Sequence, residues 1–346
     1  MASTRGDQLA DRIREISPEV AVAVTEEFLR HHPDWRVRYG ARATTAGVQD
    51  AGYHLAFLAG AVETGDGRAF ADYSRWAARV LGARGMASRF LSENLQQLRD
   101  ALAARMLPDE TSAIAAYFGA AIEALSSEPE FPAGSPLNLT ASVFLQAILT
   151  GQRHAAVQIA REALQNGLSL QELYIDVFQS ALYEVGARWE ANRLTVAQEH
   201  IATAITQFVM AQIYQPPPRL ESARGTLVLT GVEGELHNIG AVMVGDLLES
   251  SGWRVHFLGT NLPASSILDV VRQSTPTHVG ISATMLFNVP AVRHLVAAMR
   301  SEFADRVRIV VGGAAFKAVP HLWRQVAADG FAADLREVQS LLNGNA

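Results

Sequence analysis

The spacing of apolar residues along the chain changes character twice. From residue 8 to about 127 they recur every three or four positions, the period of amphipathic helices, and β-branched alternation is scarce. The run from Ser17-Pro18 to Phe28-Leu29 sets a capping serine and a first-turn proline ahead of an apolar stripe, which predicts a helix start there. Phe90-Leu91 through Met106 repeats the period, and the whole region reads as about six helices. The stretch Ser127–Pro136 then carries three prolines and no period, and is the best linker in the chain. Helices follow at about 138–151, 154–166, 170–186 and 195–214, a second bundle of four that ends at Tyr214-Gln-Pro216-Pro217-Pro218 because consecutive prolines cannot continue it.

Beyond this point short apolar strands at 226–230, 253–257, 278–282 and 307–311 alternate with helical segments at 238–251, 263–273, 289–303 and 317–329. A last strand near 330–333 and a helix from about 334 complete the order. Strand–helix alternation requires parallel strands covered on both faces, and such sheets bind ligands beyond the C-terminal ends of their strands. Those ends carry Glu235–Gly240, Leu258-Gly259-Thr260-Asn261, Ser282-Ala283-Thr284 and Gly312-Gly313-Ala314. Hydroxyls and bare glycine backbone at successive strand ends suit a wide polar ligand, whose tail can pass close to the chain.

Composition narrows the classes. Hydrophobic residues at 49% and charged residues at 18% describe an ordered globular protein. A formal net charge of −6 with no dense block of Lys and Arg gives no footprint for nucleic acid or an anionic membrane. The sequence has no cysteine, which excludes disulfides, thiolate metal sites and a thioether-linked chromophore and suits a cytoplasmic location. No signal core and no long uninterrupted apolar run appears, so neither export nor a membrane span is expected.

The chemistry concentrates at Glu235-Leu-His237-Asn-Ile-Gly240, where the first strand gives way to a helix. Imidazole is the commonest nitrogen donor to metals, and a carboxylate two positions earlier is placed to accept its second ring proton. A dinucleotide site is set aside because Gly231-Val-Glu-Gly234-Glu-Leu-His237 lacks the Gly-x-Gly-x-x-Gly spacing. A response-regulator reading fails because the first strand lacks an acidic cluster.

At these residues the chain resembles the cobalamin-binding module of methionine synthase, corrinoid proteins and light-responsive cobalamin-dependent repressors. The family pattern Asp-x-His-x-x-Gly, Ser-x-Leu or Ser-x-Thr, and Gly-Gly reads here as Glu235-Leu-His237-Asn-Ile-Gly240, Ser282-Ala-Thr284 and Gly312-Gly313. The resemblance implies that His237 is the lower axial cobalt ligand, that Glu235 lies behind it, and that Gly240, Ser282, Thr284, Gly312 and Gly313 receive the nucleotide tail. Glutamate at 235 departs from the common aspartate by one methylene. Trp189, then nine intervening residues, then Glu199-His200 is similar to the helical cap over the corrin ring in photoreceptor-type modules. Glu190 stands where the best-known cobalamin light sensors have a histidine.

The first region lacks a basic recognition helix and lacks a substrate barrel. Joined to a cobalamin module, it resembles the globin-like sensory bundle of photocobilins, light sensors that bind both cobalamin and biliverdin. The fold class that follows is multidomain: an all-α globin-like bundle over 1–127, a four-helix cap over 138–215, and a doubly wound parallel α/β sheet over 222–346, the flavodoxin-like cobalamin-binding fold. Tyr53, His54 and Trp76 are the chosen chromophore contacts, among aromatic and imidazole candidates that include His31, His32, Tyr39, Phe57, Tyr73 and Phe90, with Arg36, Arg38 and Arg79 for propionates. Biliverdin held without a covalent bond is the first expectation there. Haem on His54 is the second. The expected function is a cobalamin-dependent photoreceptor, with adenosylcobalamin bound, no catalytic residue, and a signal that leaves through homo-oligomerisation or a partner. The alternative is a corrinoid methyl carrier served by separate methyltransferases.

Overall fold

The apolar stripe that begins at Leu9 does not stop at Pro18. Leu9, Ile13, Ile16, Val20, Val24 and Phe28 are buried at helical spacing along one unbroken helix, α1 (Arg5–His31), which contains Pro18 in its interior. The helix start predicted at Ser17-Pro18 is thereby corrected. Ser17 donates its hydroxyl to the Ile13 carbonyl at 2.6 Å instead of capping. An interior proline costs about 3 kcal/mol, whereas each large apolar side chain along the stripe contributes about 1.5–3 kcal/mol on burial, so the stripe prevails.

The structure, a computed structural model, describes residues 5–127, 136–215, 223–319 and 321–342. Most of the predicted linker Ser127–Pro136, and Pro216–Pro218, lie outside the described residues. Two compact units are present, one formed by residues 1–130 with 285–290 and the other by 131–284 with 291–346. Among the described residues no helix is long and apolar enough to cross a membrane.

The first unit is all-helical. After α1 come α2 (Pro33–Tyr39), α3 (Arg42–Thr64), α4 (Gly67–Ala83), α5 (Ser88–Ala103) and α6 (Pro108–Ala124). Asp66 caps α4 by accepting from the Arg68 N–H, and Glu110 accepts from the Leu107 N–H at the start of α6. Arg14 of α1 pairs with the buried Glu63 of α3. Leu55, Leu58, Phe70, Leu95 and Phe118 fill the interior.

In the second unit, α7 (Leu139–Leu149) and α8 (Arg153–Gln165) lead to α9 (Leu170–Glu172), a π-helical stretch Leu173–Gln179, α10 (Ser180–Glu190) and α11 (Val196–Ile213). Side-chain caps at Asn138, Ser169 and Thr195 start α7, α9 and α11, satisfying amides that the first turn leaves unpaired. Phe144, Leu173, Tyr174, Phe178 and Val209 form the core of this bundle.

The sheet region runs β1 (Thr226–Gly231), α12 (Ile239–Ser250), β2 (Arg254–Phe257), α13 (Ala264–Ser274), β3 (His278–Ser282), α14 (Val289–Phe303), β4 (Arg308–Gly312), α15 (Ala314–Ala318), α16 (Leu322–Gln325), β5 (Gly330–Ala332) and α17 (Leu335–Leu342). All pairings are parallel, in the order β2-β1-β3-β4-β5. This is the flavodoxin-like order, with its switch point between β1 and β3. The single helix predicted over 317–329 is two short helices, consistent with Pro320 in the sequence between them. Gly231 of β1, Ser282 of β3, Gly312 of β4 and Ala332 of β5 stand side by side in register, so the strand ends make a level rim at the C-terminal edge.

Candidate functional site

The turn after β1 is organised by one buried carboxylate. Glu235 is fully buried, and its Oε1 accepts both the His237 backbone N–H at 2.8 Å and the ring Nδ1 at 2.7 Å. Its Oε2 accepts the Thr284 backbone N–H at 2.5 Å, from the segment that follows β3. The additional methylene of glutamate, relative to the aspartate of the common pattern, gives the carboxylate reach to both partners. Gly231 makes the room, since a Cβ there would lie 2.7 Å from Thr260 Cγ2 and 3.1 Å from Glu235 Cγ.

Burial works against ionisation of Glu235, but the hydrogen bonds from the His237 ring, the Thr284 N–H and the His237 N–H hold its pKa below the ordinary glutamate value. The bond to Glu235 raises the His237 pKa against the opposing effect of burial, with the Glu235 and Glu199 charges adding to the rise. An Nδ1–H directed at a carboxylate fixes the tautomer that leaves the Nε2 lone pair free and makes it a better donor. The His237 side chain is 60% exposed, so this nitrogen is open to a ligand.

Next to His237 a cavity of about 340 Å³ lies between the sheet and helices α12 and α17. Gly240, Ser282, Thr284, Gly312 and Gly313 line it together with His237. The predicted lower-face residues are thus brought to one place. Gly313 has φ +99°, and a Cβ on it would lie 2.3 Å from the Ala283 carbonyl oxygen, so only glycine lets the chain turn this close to the end of β3.

Gly280 also lines the cavity, in the middle of the central strand β3, and sequence reasoning passed over it. The available signal was an isolated glycine inside a strand, which often marks a close approach by a ligand. The walls behind it are apolar, formed by Leu229, Val310 and Leu335. This slot is narrow, apolar inside and polar at the mouth, a shape that takes a flat heteroaromatic group inward and leaves its polar substituents outside.

The predicted upper-face residues sit elsewhere in the same unit and do not line the cavity. Trp189 is half-buried in the last turn of α10, and Glu199 and His200 lie in the first turn of α11. The His200 Nδ1 is hydrogen-bonded to Glu199, which also accepts from Thr203 at 3.1 Å. Gln207, two turns further along α11, donates to Asn238 at 2.8 Å, directly beside His237. Tyr174 and Tyr214 donate to Asp246 and Glu249 of α12 at 2.5 and 2.6 Å. Burial of Asp246 pushes its pKa up to about 6. Exposed Tyr183, at the cavity, and exposed Leu236, beside His237, are large apolar surfaces near the same mouth.

Residues 225–338 match the B12 binding domain model, and residues 141–214 match a second B12 binding domain model. Over 134 residues the chain is 31% identical to dimethylamine corrinoid protein 3 of Methanosarcina mazei, spanning 38% of this chain and 80% of that protein. The chain belongs to the B12-binding corrinoid protein family. A dimethylamine corrinoid protein of Methanosarcina barkeri is 27% identical over 171 residues, which are 49% of this corrinoid protein and 80% of that one. The solved monomethylamine corrinoid protein of Methanosarcina barkeri superposes with a TM-score of 0.51 at 18% identity, covering 59% of this chain and 96% of that chain, and shows a shared fold.

These relatives overturn the photocobilin expectation. The likeness is to corrinoid proteins, and the photoreceptor, chromophore, biliverdin and signal-transduction assignments are withdrawn. The first unit supplies the physical reason for the misreading. Tyr53 and His54 are consecutive on α3 and point apart, Tyr53 to solvent at 47% exposure and His54 into the core at 6%. The His54 Nδ1 is bonded to the Tyr73 hydroxyl at 2.7 Å, and burial lowers its pKa to about 4, which keeps the ring neutral. Phe57 stacks on Tyr73 at 3.7 Å, and Trp76 packs against the same core. His32 is held by Glu93 at 2.9 Å within a separate aromatic group of Phe28, Trp35 and Phe90. The predicted chromophore wall is therefore divided between an ordinary core and a second aromatic cluster.

Cobalamin, the group the family implies, is tested by the residues present. One solvent-facing imidazole is held in the donor tautomer by a buried carboxylate. Beside it opens a slot lined by mid-strand Gly280, where even a Cβ would press on the Leu229 side chain at 2.8 Å. Exposed apolar side chains stand near the mouth. The residues present fit cobalamin, with His237 as an available nitrogen donor beside the slot.

Proposed function

We infer that this protein is a corrinoid methyl carrier, passing a methyl group between separate methyltransferases. The observation that carries the reading is its likeness to corrinoid proteins across four fifths of their length, together with the B12 binding domain match over residues 225–338, which contain the Glu235–His237 turn. Bound cobalamin supplies a cobalt centre that accepts a methyl group and releases it to a nucleophile. His237 would hold that centre from below through Nε2, while Glu235 keeps the proton on Nδ1. Gly240, Ser282, Thr284, Gly312 and Gly313 would receive the tail, and Trp189, Glu199 and His200 would border the upper face. A carrier needs an exchangeable upper ligand, so the adenosyl form has no part in this reading.

The test uses the full chain loaded with aquocobalamin, reduced with titanium(III) citrate and treated with methyl iodide. A thiol and a corrinoid-dependent thiol methyltransferase are then added. Methylated thiol that accumulates only with both proteins, and falls about tenfold or more with His237→Ala, supports the carrier. Thiol methylation no faster than with free cobalamin contradicts it.

A further inference from the structure

The chain holds 29 basic residues of the Lys and Arg type, and only one of them is a lysine. That lysine, Lys317, lines the cavity described above. It lies on α15, directly after the Gly312-Gly313 turn, and it is an exposed residue. Among the described residues no carboxylate pairs with it, and its side chain has no hydrogen-bond partner. Asp334, the one carboxylate that lines the same cavity, is already engaged at the start of α17, where its Oδ1 accepts from the N–H groups of Arg336 and Glu337 at 2.8 and 3.0 Å. Elsewhere many of the chain's arginines are paired, as Arg272 is with Asp269 and Glu302, and Arg188 with Glu184. An unpaired cation lining a slot with largely apolar walls is a site for an anion carried by whatever enters the slot.

Resting on the carrier reading, the ligand's own chemistry names the anion. The peripheral amides of cobalamin are neutral, its base is flat and apolar, and the phosphodiester of the nucleotide tail is its one fixed negative charge. We propose that Lys317 is the counter-ion of that phosphate and favours corrinoids whose tail carries it. Lysine suits the task because its ammonium is a compact charge on a flexible stem that reaches a phosphate without demanding planar two-point geometry. The Gly312-Gly313 turn supports the assignment, since it brings α15 to the rim without a side chain in the way.

The test is an absorption titration of the full-length wild type, Lys317→Ala and Lys317→Arg with three ligands. These are aquocobalamin, cobinamide, which lacks the phosphate and the base, and cobinamide phosphate, which restores the phosphate alone. Lys317 is exposed, so the variants keep the fold, and circular dichroism checks this. The expected result is about a fivefold loss of affinity of Lys317→Ala for aquocobalamin and for cobinamide phosphate, none for cobinamide, and recovery in Lys317→Arg. The lost part of the affinity should also be the part that salt weakens in the wild type. Equal losses for all three ligands, or unchanged affinity for aquocobalamin, overturn the role of Lys317 and leave the carrier reading intact. Failure of the wild type to bind aquocobalamin overturns both.

Discussion

Replacing Glu235 by alanine is expected to destabilise the second unit by about 3 kcal/mol and to weaken cobalamin binding by about 10- to 100-fold. Three donors meet on this buried carboxylate: the His237 N–H, the His237 ring and the Thr284 N–H. Truncation leaves the two amides without their acceptor and frees the imidazole to rotate or change tautomer. Glu235→Asp separates the two tasks. Its shorter side chain keeps the His237 contacts but cannot also span to Thr284, so binding should stay within about threefold of wild type while stability falls by about 1 kcal/mol. Urea unfolding and absorption titration measure the two effects independently. Equal losses of binding in both variants would show that the carboxylate acts on the loop as a whole and not through the ring.

The second large effect is expected at Gly280. Valine there adds a β-branched residue to a central strand, which favours the strand, while its Cβ meets the Leu229 Cδ1 at 2.8 Å and the Leu227 Cδ1 at 3.7 Å, both ends of flexible side chains. The fold should therefore survive with a melting temperature close to wild type. The added methyls occupy the slot, and cobalamin affinity should fall by at least about 100-fold. Gly245→Ala on α12 is the control. That Cβ makes ordinary contacts of 3.6 and 3.8 Å with Leu229 and Val255, and the residue does not line the cavity, so stability should rise by up to about 1 kcal/mol with binding unchanged. A Gly280→Val protein that binds cobalamin like wild type would place the tail elsewhere.

The parts of this protein legible in its sequence are those governed by local rules. The change from helical period to alternating strands and helices located β1 to β5, because a strand buried on both faces is a short apolar run wherever it occurs. The partnership of Glu235 and His237 was legible because two residues within one turn must be near each other. The third bond of Glu235, to Thr284, was not, since residues 49 positions apart are brought together only by the pairing of β1 with β3. Gly280 carried only the weak signal of an isolated glycine inside a strand, and its place on the cavity follows from the pairing of β3 between β1 and β4.

The first unit misled for a different reason. Histidines, tyrosines and tryptophans on amphipathic helices have the same composition whether they line a chromophore pocket or fill a core. Only the packing separates the two, as the burial of His54 against Tyr73 beside the exposed Tyr53 demonstrates. Pro18 misled through a real local preference for helix starts, which a long apolar stripe overrode.

The role of His237 is tested most directly by the identity of the atom bound to cobalt. Full-length protein made with histidine labelled by the heavy nitrogen isotope is loaded with cobalamin, reduced to the Co(II) state and examined by electron paramagnetic resonance. With His237 as the ligand, the axial nitrogen splitting of each cobalt line changes from a triplet to a doublet on labelling, and His237→Ala abolishes the change. A triplet that persists in the labelled protein would mean that the nucleotide base, and not His237, holds the cobalt, and would contradict the central claim.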